Sequence, residues 1–262
     1  MYSKQQLAAQ LGAAGLTAAS TLLVHSSVKS VGEVEGRAET ILDVLCEAVS
    51  DGLLVMPTHT WDTINSENSI YDYRTEPSCT GILGTLLLRR EGAVRSLHPS
   101  HSVVAYGKDA KKFVEGEHLC QSPCPRSGCM GKLLDRRGKV LFIGCPLTKN
   151  TFIHGIEEWA QIPDRLSEPE LRYIVMRDGS MFFTMISGHS SPVGDVSQNY
   201  GKLEAPFLEL GIAKEFTFGD ARCVICDCEG MTSAVSEMLI LEPDLFLDNK
   251  PVSRRLIDAV KY

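Results

Sequence analysis

Short apolar runs and stretches of helical spacing take turns through the first two thirds of the chain, the pattern of strands alternating with helices. Residues 3–15 read as a helix, and Thr21–Val24 as a short buried strand that runs into a polar turn. Ala38–Val49 has helical periodicity. Gly52–Met56 is an apolar run stopped by Pro57, which lacks the N–H that a ladder needs. Gly81–Arg90 and Lys108–Val114 read as helices with a strand, Ser102–Tyr106, between them. Gly138–Gly144 (GKVLFIG) is the clearest buried strand, and a helix follows from about Thr151. The rhythm then changes. Arg172–Arg177 and Met181–Ile186 flank Asp178-Gly179, a dipeptide suited to a hairpin turn. Glu215–Phe218 and Ala221–Asp227 read as a second antiparallel pair, ahead of a C-terminal helix from about Met231. The expected fold is α/β, a mixed sheet with flanking helices and antiparallel additions in the C-terminal third. It is expected to form one domain over residues 1–262.

Composition narrows the function classes. The 262 residues are 44% hydrophobic and 23% charged, ordinary values for a globular chain with a sizeable core. No apolar run approaches the roughly 20 residues that span a bilayer, so no membrane partner is expected. MYSKQQLAAQLGAAGL reads as an amphipathic helix rather than a signal peptide, which makes a cytoplasmic location the expectation. A formal charge of -7 excludes the basic surface of a nucleic-acid binder and is compatible with a cationic small-molecule substrate. Nine cysteines, an odd count, are expected as reduced thiols.

Two stretches carry candidate chemistry. In LLVHSSVKSVGEVEGRAET, residues 22–40, a strand ends at His25. The hydroxyls of Ser26, Ser27 and Ser30 follow, with Lys29 and Gly32 among them and a new helix beyond Gly36. Hydroxyls, a cation and free N–H groups past a strand's carboxyl end suit a phosphate, though a plain Ser/Gly turn looks the same. Neither GxGxxG nor the Walker pattern is present. In NTFIHGIEEWA, Asn150 or Thr151 is a plausible N-cap, and His154 falls in the first helical turn. There the positive helix end favours a neutral imidazole, which can accept a proton. Glu157 lies three residues on, on the same face, and Gly155 marks a place where something approaches the backbone. A solvated surface pair reads identically.

HSSVKSVGEVEG resembles the HSSxxxxG signature of the aminoglycoside 3-N-acetyltransferase family. VMPTHT at 55–60, RSLHPSHSVVAYG at 95–107 and GKVLFIGCPLTKNTFIHGIEE at 138–158 match further family blocks in order. The resemblance implies an acetyl-coenzyme A-dependent N-acetyltransferase with no metal, acting on an aminoglycoside or similar amine by direct attack. It makes Ser26, Ser27, Lys29 and Gly32 contacts of the coenzyme, with His25 and Thr58 close by. His154 becomes the general base, and Glu157 its acidic partner or a group that holds the substrate ammonium. His98 and Asp62 become substrate-side candidates, with His101 behind them. The segment between VMPTHT and RSLHP is short for the family and the match thins after about residue 165, so a different amine is the runner-up. Other classes stay open: an acyl-coenzyme A binder without turnover, and a zinc hydrolase built on His98, His101 and cysteines. A homodimer is left open too. ARCVICDC, with Cys223, Cys226 and Cys228, reads as a strand whose cysteines fill one face.

Overall fold

The computed structural model describes residues 1–261. Its strands are β1 (Thr21–Ser26), β2 (Leu53–Pro57), β3 (Ile70–Asp72), β4 (Val94–Arg95), β5 (Val103–Gly107), β6 (Lys139–Ile143), β7 (Glu170–Val175), β8 (Met181–Ile186), β9 (Ala213–Phe218) and β10 (Ala221–Asp227). The helices are α1 (Lys4–Leu11), α2 (Arg37–Ala48), α3 (Ile82–Leu87), α4 (Ala110–Phe113), α5 (Cys129–Asp135), α6 (Thr151–Trp159), α7 (Glu204–Glu209), α8 (Cys228–Leu241) and α9 (Arg254–Ala259).

A seven-stranded sheet runs β4-β5-β2-β1-β6-β10-β9. Its centre, β2-β1-β6, is parallel, and the strands outside it are antiparallel. The period of two along each strand sorts the core. Leu23, Val55, Val140 and Phe142 pack with α6 and α8 on one face, whereas Leu22, Val24, Leu141 and Ile143 pack with α1 and α2 on the other. Burial on both faces explains why these strands read as unbroken apolar runs.

A second, three-stranded sheet has the order β3-β7-β8, with β3 parallel to β7 and β7-β8 the hairpin expected around Asp178-Gly179. Gly179 has φ 85°, the left-handed conformation that such a turn requires. The inner side of this sheet forms a small core of Ile64, Tyr71, Leu97 and Ile174.

Several boundaries differ from the sequence reading. The first helix stops at Leu11, where Gly12 caps it and a 3-10 turn takes over. The C-terminal helix starts at Cys228 rather than Met231, because the Asp227 side chain accepts from Gly230 N at 2.9 Å and caps it. Cys223 and Cys226 are an odd number of residues apart and face opposite sides of the sheet, so the cysteines do not fill one face. All nine are free thiols. No helix among the described residues is long and apolar enough to cross a membrane.

Candidate active site

A cleft of about 760 Å³ opens where β1, β2 and β6 end, between the large sheet and the β7-β8 hairpin. Five histidines line it: His25, His59, His101, His154 and His189.

Asn150 caps α6, its side chain accepting from Phe152 N, so the helix starts at Thr151 and presents His154 to the cleft. His154 Nδ1 lies 2.7 Å from the Tyr200 hydroxyl, and that hydroxyl donates to Glu157 Oε2. A hydroxyl has one proton; with it given to the carboxylate, the Tyr200 oxygen accepts from His154 Nδ1–H. The remaining nitrogen, Nε2, then carries the lone pair. It has no partner among the described residues and is not one of the sealed unpartnered atoms, so it opens on the cleft. Glu157 Oε1 in turn accepts from Arg165 Nε at 2.6 Å. Burial pushes the Glu157 carboxyl up, against the pull of Tyr200 and Arg165. Burial, then the neighbouring His189, holds His154 well below the usual imidazole range. Desolvation, more than the helix end, keeps this ring neutral.

His189 stacks on His154 with ring centroids 3.7 Å apart and planes 18° from parallel. Its Nε2 is 3.2 Å from Glu158 Oε1. Glu158 also accepts from Ser122 Oγ at 2.6 Å and Cys124 N at 2.8 Å, and burial pushes its carboxyl up to about 7. Adjacent acids on one helix thus back two stacked imidazoles, Glu157 through Tyr200 and Glu158 directly. Burial lowers His189 to about 3, and His59 likewise. Asp195 faces the same cleft and is the acid that raises His154 against these effects.

The loop after β1 reaches the cleft through His25, while Ser26, Ser27, Lys29 and Gly32 lie outside its lining. Ser27 N donates to Ile143 O, and Ser30 Oγ to Gly144 O at 3.1 Å, which fastens a 3-10 turn, Val28–Val31, beside the end of β6. Gly32 has φ 82°, and a Cβ there would meet the Asp220 carboxylate at 2.1 Å. Lys29 is exposed, Ser26 and Ser27 half-buried. His25 lines the cleft, stacked on Phe142, with a buried Nε2 that has no partner among the described residues.

Other sequence candidates fall elsewhere. Thr58 is fully buried; its hydroxyl meets Ser102 Oγ, and its carbonyl accepts from Arg95 at 2.8 Å. His98 is fully buried too, with Nε2 3.0 Å from Ser122 O and Nδ1 accepting from His101 N at 2.9 Å. It shapes the turn that presents His101. Asp62 is exposed and outside the cleft lining. Glu157, at 1% exposure, also stays behind the lining. A zinc site on His98 loses its ligand, because backbone groups occupy both ring nitrogens. Cys124, Glu158 and His189 do bring three donor atoms within 4.8 Å of one another, each already hydrogen-bonded. Burial holds the thiols of Cys120, Cys124 and Cys129 far above the reactive range. Tyr200 and Arg165 carried no local signal in the sequence, and His189, in SGHSSPVG, reads there as a plain loop residue outside the catalytic set.

The model of the aminoglycoside 3-N-acetyltransferase family matches residues 23–240. The chain belongs to that family. It is therefore an N-acetyltransferase by descent, and the four sequence blocks marked it correctly. Aminoglycoside N(3)-acetyltransferase III of Salmonella sp is 28% identical over 262 residues, covering 89% of this chain and 90% of the relative. The enzyme of the same name from Serratia marcescens is 29% identical over 257 residues, covering 89% of this chain and 95% of its own. Among solved structures, AAC-IIIb in a binary complex with CoASH superposes with TM-score 0.80 at 23% identity, over 96% of this chain and 99% of that one. That likeness establishes the fold, an α/β acetyltransferase architecture.

Proposed function

We propose that this enzyme transfers the acetyl group of acetyl-coenzyme A to an amine of an aminoglycoside or a similar amino compound, with His154 as general base. The observation that carries the reading is the His154 ring itself. Nδ1 is tied through Tyr200 to the Glu157–Arg165 pair, and Nε2 is open to the cleft. The amine attacks in its neutral form, and its nitrogen becomes acidic as the bond to the acetyl carbon forms; a neutral imidazole with a fixed tautomer is suited to take that proton. Tyr200 and Glu157 then hold the imidazolium in place, the carboxylate supplying the opposite charge.

Ser26, Ser27 and Lys29 are the residues that would hold the coenzyme, with His25 at the cleft end of the same loop. The unpartnered buried Nε2 of His25 fits a polar ligand laid along this loop, whereas the space beside Gly32 is taken by the Asp220 carboxylate. When bound, the coenzyme supplies an activated thioester and a thiolate leaving group.

One observation favours the runner-up, an amine of lower charge than an aminoglycoside. Of the carboxylates lining the cleft, Glu170 is already paired with Arg172, which leaves Asp195 to meet a cation. The cleft also includes Lys149. A polycation gains little from so few counter-charges.

The test is thiol release from acetyl-coenzyme A against a panel of aminoglycosides, polyamines and monoamines. Turnover that drops at least about a hundredfold in His154→Ala, with coenzyme binding intact, is the expected result. A variant keeping more than about a tenth of wild-type activity removes His154 from its role. The acceptor class is read directly from which amines turn over.

A further inference from the structure

The two faces of the small sheet differ in an unusual way. Residues of β7 and β8 alternate, and the inner set, Arg172, Ile174, Phe182, Thr184 and Ile186, faces the cleft and the small core. The outer set is equally apolar, and its side chains are exposed or half-buried. Cross-strand pairs Leu171–Met185, Tyr173–Phe183 and Val175–Met181 lie side by side, and Ile70 of β3 joins Tyr173. Phe183 is 69% exposed, Met181 55% and Ile70 51%. An antiparallel hairpin with a solvated face ordinarily carries polar residues there.

We propose that this outer face of β3-β7-β8 is the docking surface for a second copy of the same chain, making the enzyme a two-fold dimer through sheet-on-sheet packing. Area decides the occupant. The exposed parts of Ile70, Leu171, Tyr173, Met181, Phe183 and Met185 sum to on the order of 600 Å², at the upper end of the largest patch on a typical monomer. Two such faces remove about 1,200 Å² from water, the lower bound of a specific protein–protein interface. A two-fold dimer requires the patch to complement itself. The centre of this one carries no formal charge, so two copies bring no like charges together. At its margin Asp72 is already neutralised by Arg74 at 2.7 Å. A membrane surface is a poorer match, because the rim holds Asp178 and the Asp72–Arg74 pair rather than a basic fringe. Docking here also has a consequence for the cleft. Arg172 and Ile186, on the opposite side of the same strands, are part of its wall, so a partner sheet would brace that wall from behind.

The test is sedimentation or light scattering of the full chain over roughly two decades of concentration, with Phe183→Glu and Met185→Glu as variants. Both side chains are exposed, so the fold should survive, as an unchanged far-UV spectrum and a cooperative melt would show. The wild type is expected at twice the 28.7 kDa chain mass, and each variant at the single mass, with the dimer weakened at least about a hundredfold. A wild type that stays monomeric overturns the proposal, whether or not the face then binds vesicles or another protein. So does a dimer that both glutamates leave intact. None of these readouts depends on turnover, so they stand apart from the acetyl-transfer reading.

Discussion

Tyr200 separates the His154 ring from Glu157, whose nearest oxygen is 4.0 Å from Nδ1. A His-x-x-Glu pair on one helix turn looks like a direct dyad in sequence; here a phenol completes it. Burial and Glu157 hold the Tyr200 hydroxyl well above its usual range, so it stays protonated at any working pH and keeps donating to the acid. Removing only that oxygen in Tyr200→Phe frees the imidazole to turn and leaves two buried polar atoms unpaired. We expect kcat to fall about ten- to a hundredfold with the KM for acetyl-coenzyme A unchanged, and stability to drop by about 1–3 kcal/mol. Steady-state kinetics and urea unfolding check both; an unchanged kcat would show that Glu157 does not act through Tyr200.

Helix α6 carries both acids as well as His154, and its seating depends on Gly155. A Cβ at Gly155 would lie 2.9 Å from the Trp159 ring, with the Cys124 carbonyl at 3.5 Å. Trp159 cannot swing away freely, since its Nε1 donates to that carbonyl at 2.9 Å and its ring meets Phe152 edge-on. The close approach expected at this glycine is therefore made by the helix's own tryptophan and the loop that delivers Cys124 N to Glu158. In Gly155→Ala, a helix-propensity gain of about 1 kcal/mol opposes an overpacking cost of about 1–3 kcal/mol. The expected net is a destabilisation of about 1 kcal/mol, read from the denaturant midpoint. A more stable variant would show that Trp159 gives way and that the contact is loose.

At the scale of the whole molecule, the cluster of buried imidazoles sets the acid limit of the fold. His25, His59 and His189 are each lowered to about 3 by burial, against about 6.5 in an unfolded chain. The unfolded state then binds protons that the folded state refuses, so this stability is complete above pH 6.5 and is lost as pH falls towards 3. Glu158, raised to about 7, works the other way and regains stability as pH falls below 7. His101 and His154 are held down in the same way and Glu157 is raised, so five protons against two leave a net of three, or about 4 kcal/mol per pH unit below 6.5. Urea midpoints should be level from pH 8 to about pH 7 and drop steeply by about pH 5.5. A flat midpoint down to pH 5 would mean that these rings protonate in place.

Local pattern determined much of this protein. The apolar runs of β1, β2 and β6 had to be buried on both faces, and Asp178-Gly179 had to turn. The run from Asn150 to Glu157 placed a capped helix with a histidine near its start, because capping and periodicity act within a few residues. The family blocks located the enzyme class through residues close together in sequence. Only the tertiary structure could bring Tyr200 to His154 across 46 positions, stack His189 on it across 35, and turn His98 inward while leaving His101 at the cleft. It also decided that Thr58 serves the Arg95–Ser102 network instead of the cleft. Those outcomes rest on which distant surfaces meet and what they desolvate, and a hydrogen-bond partner supplied from the far side of a cleft leaves no periodic trace in the chain that receives it.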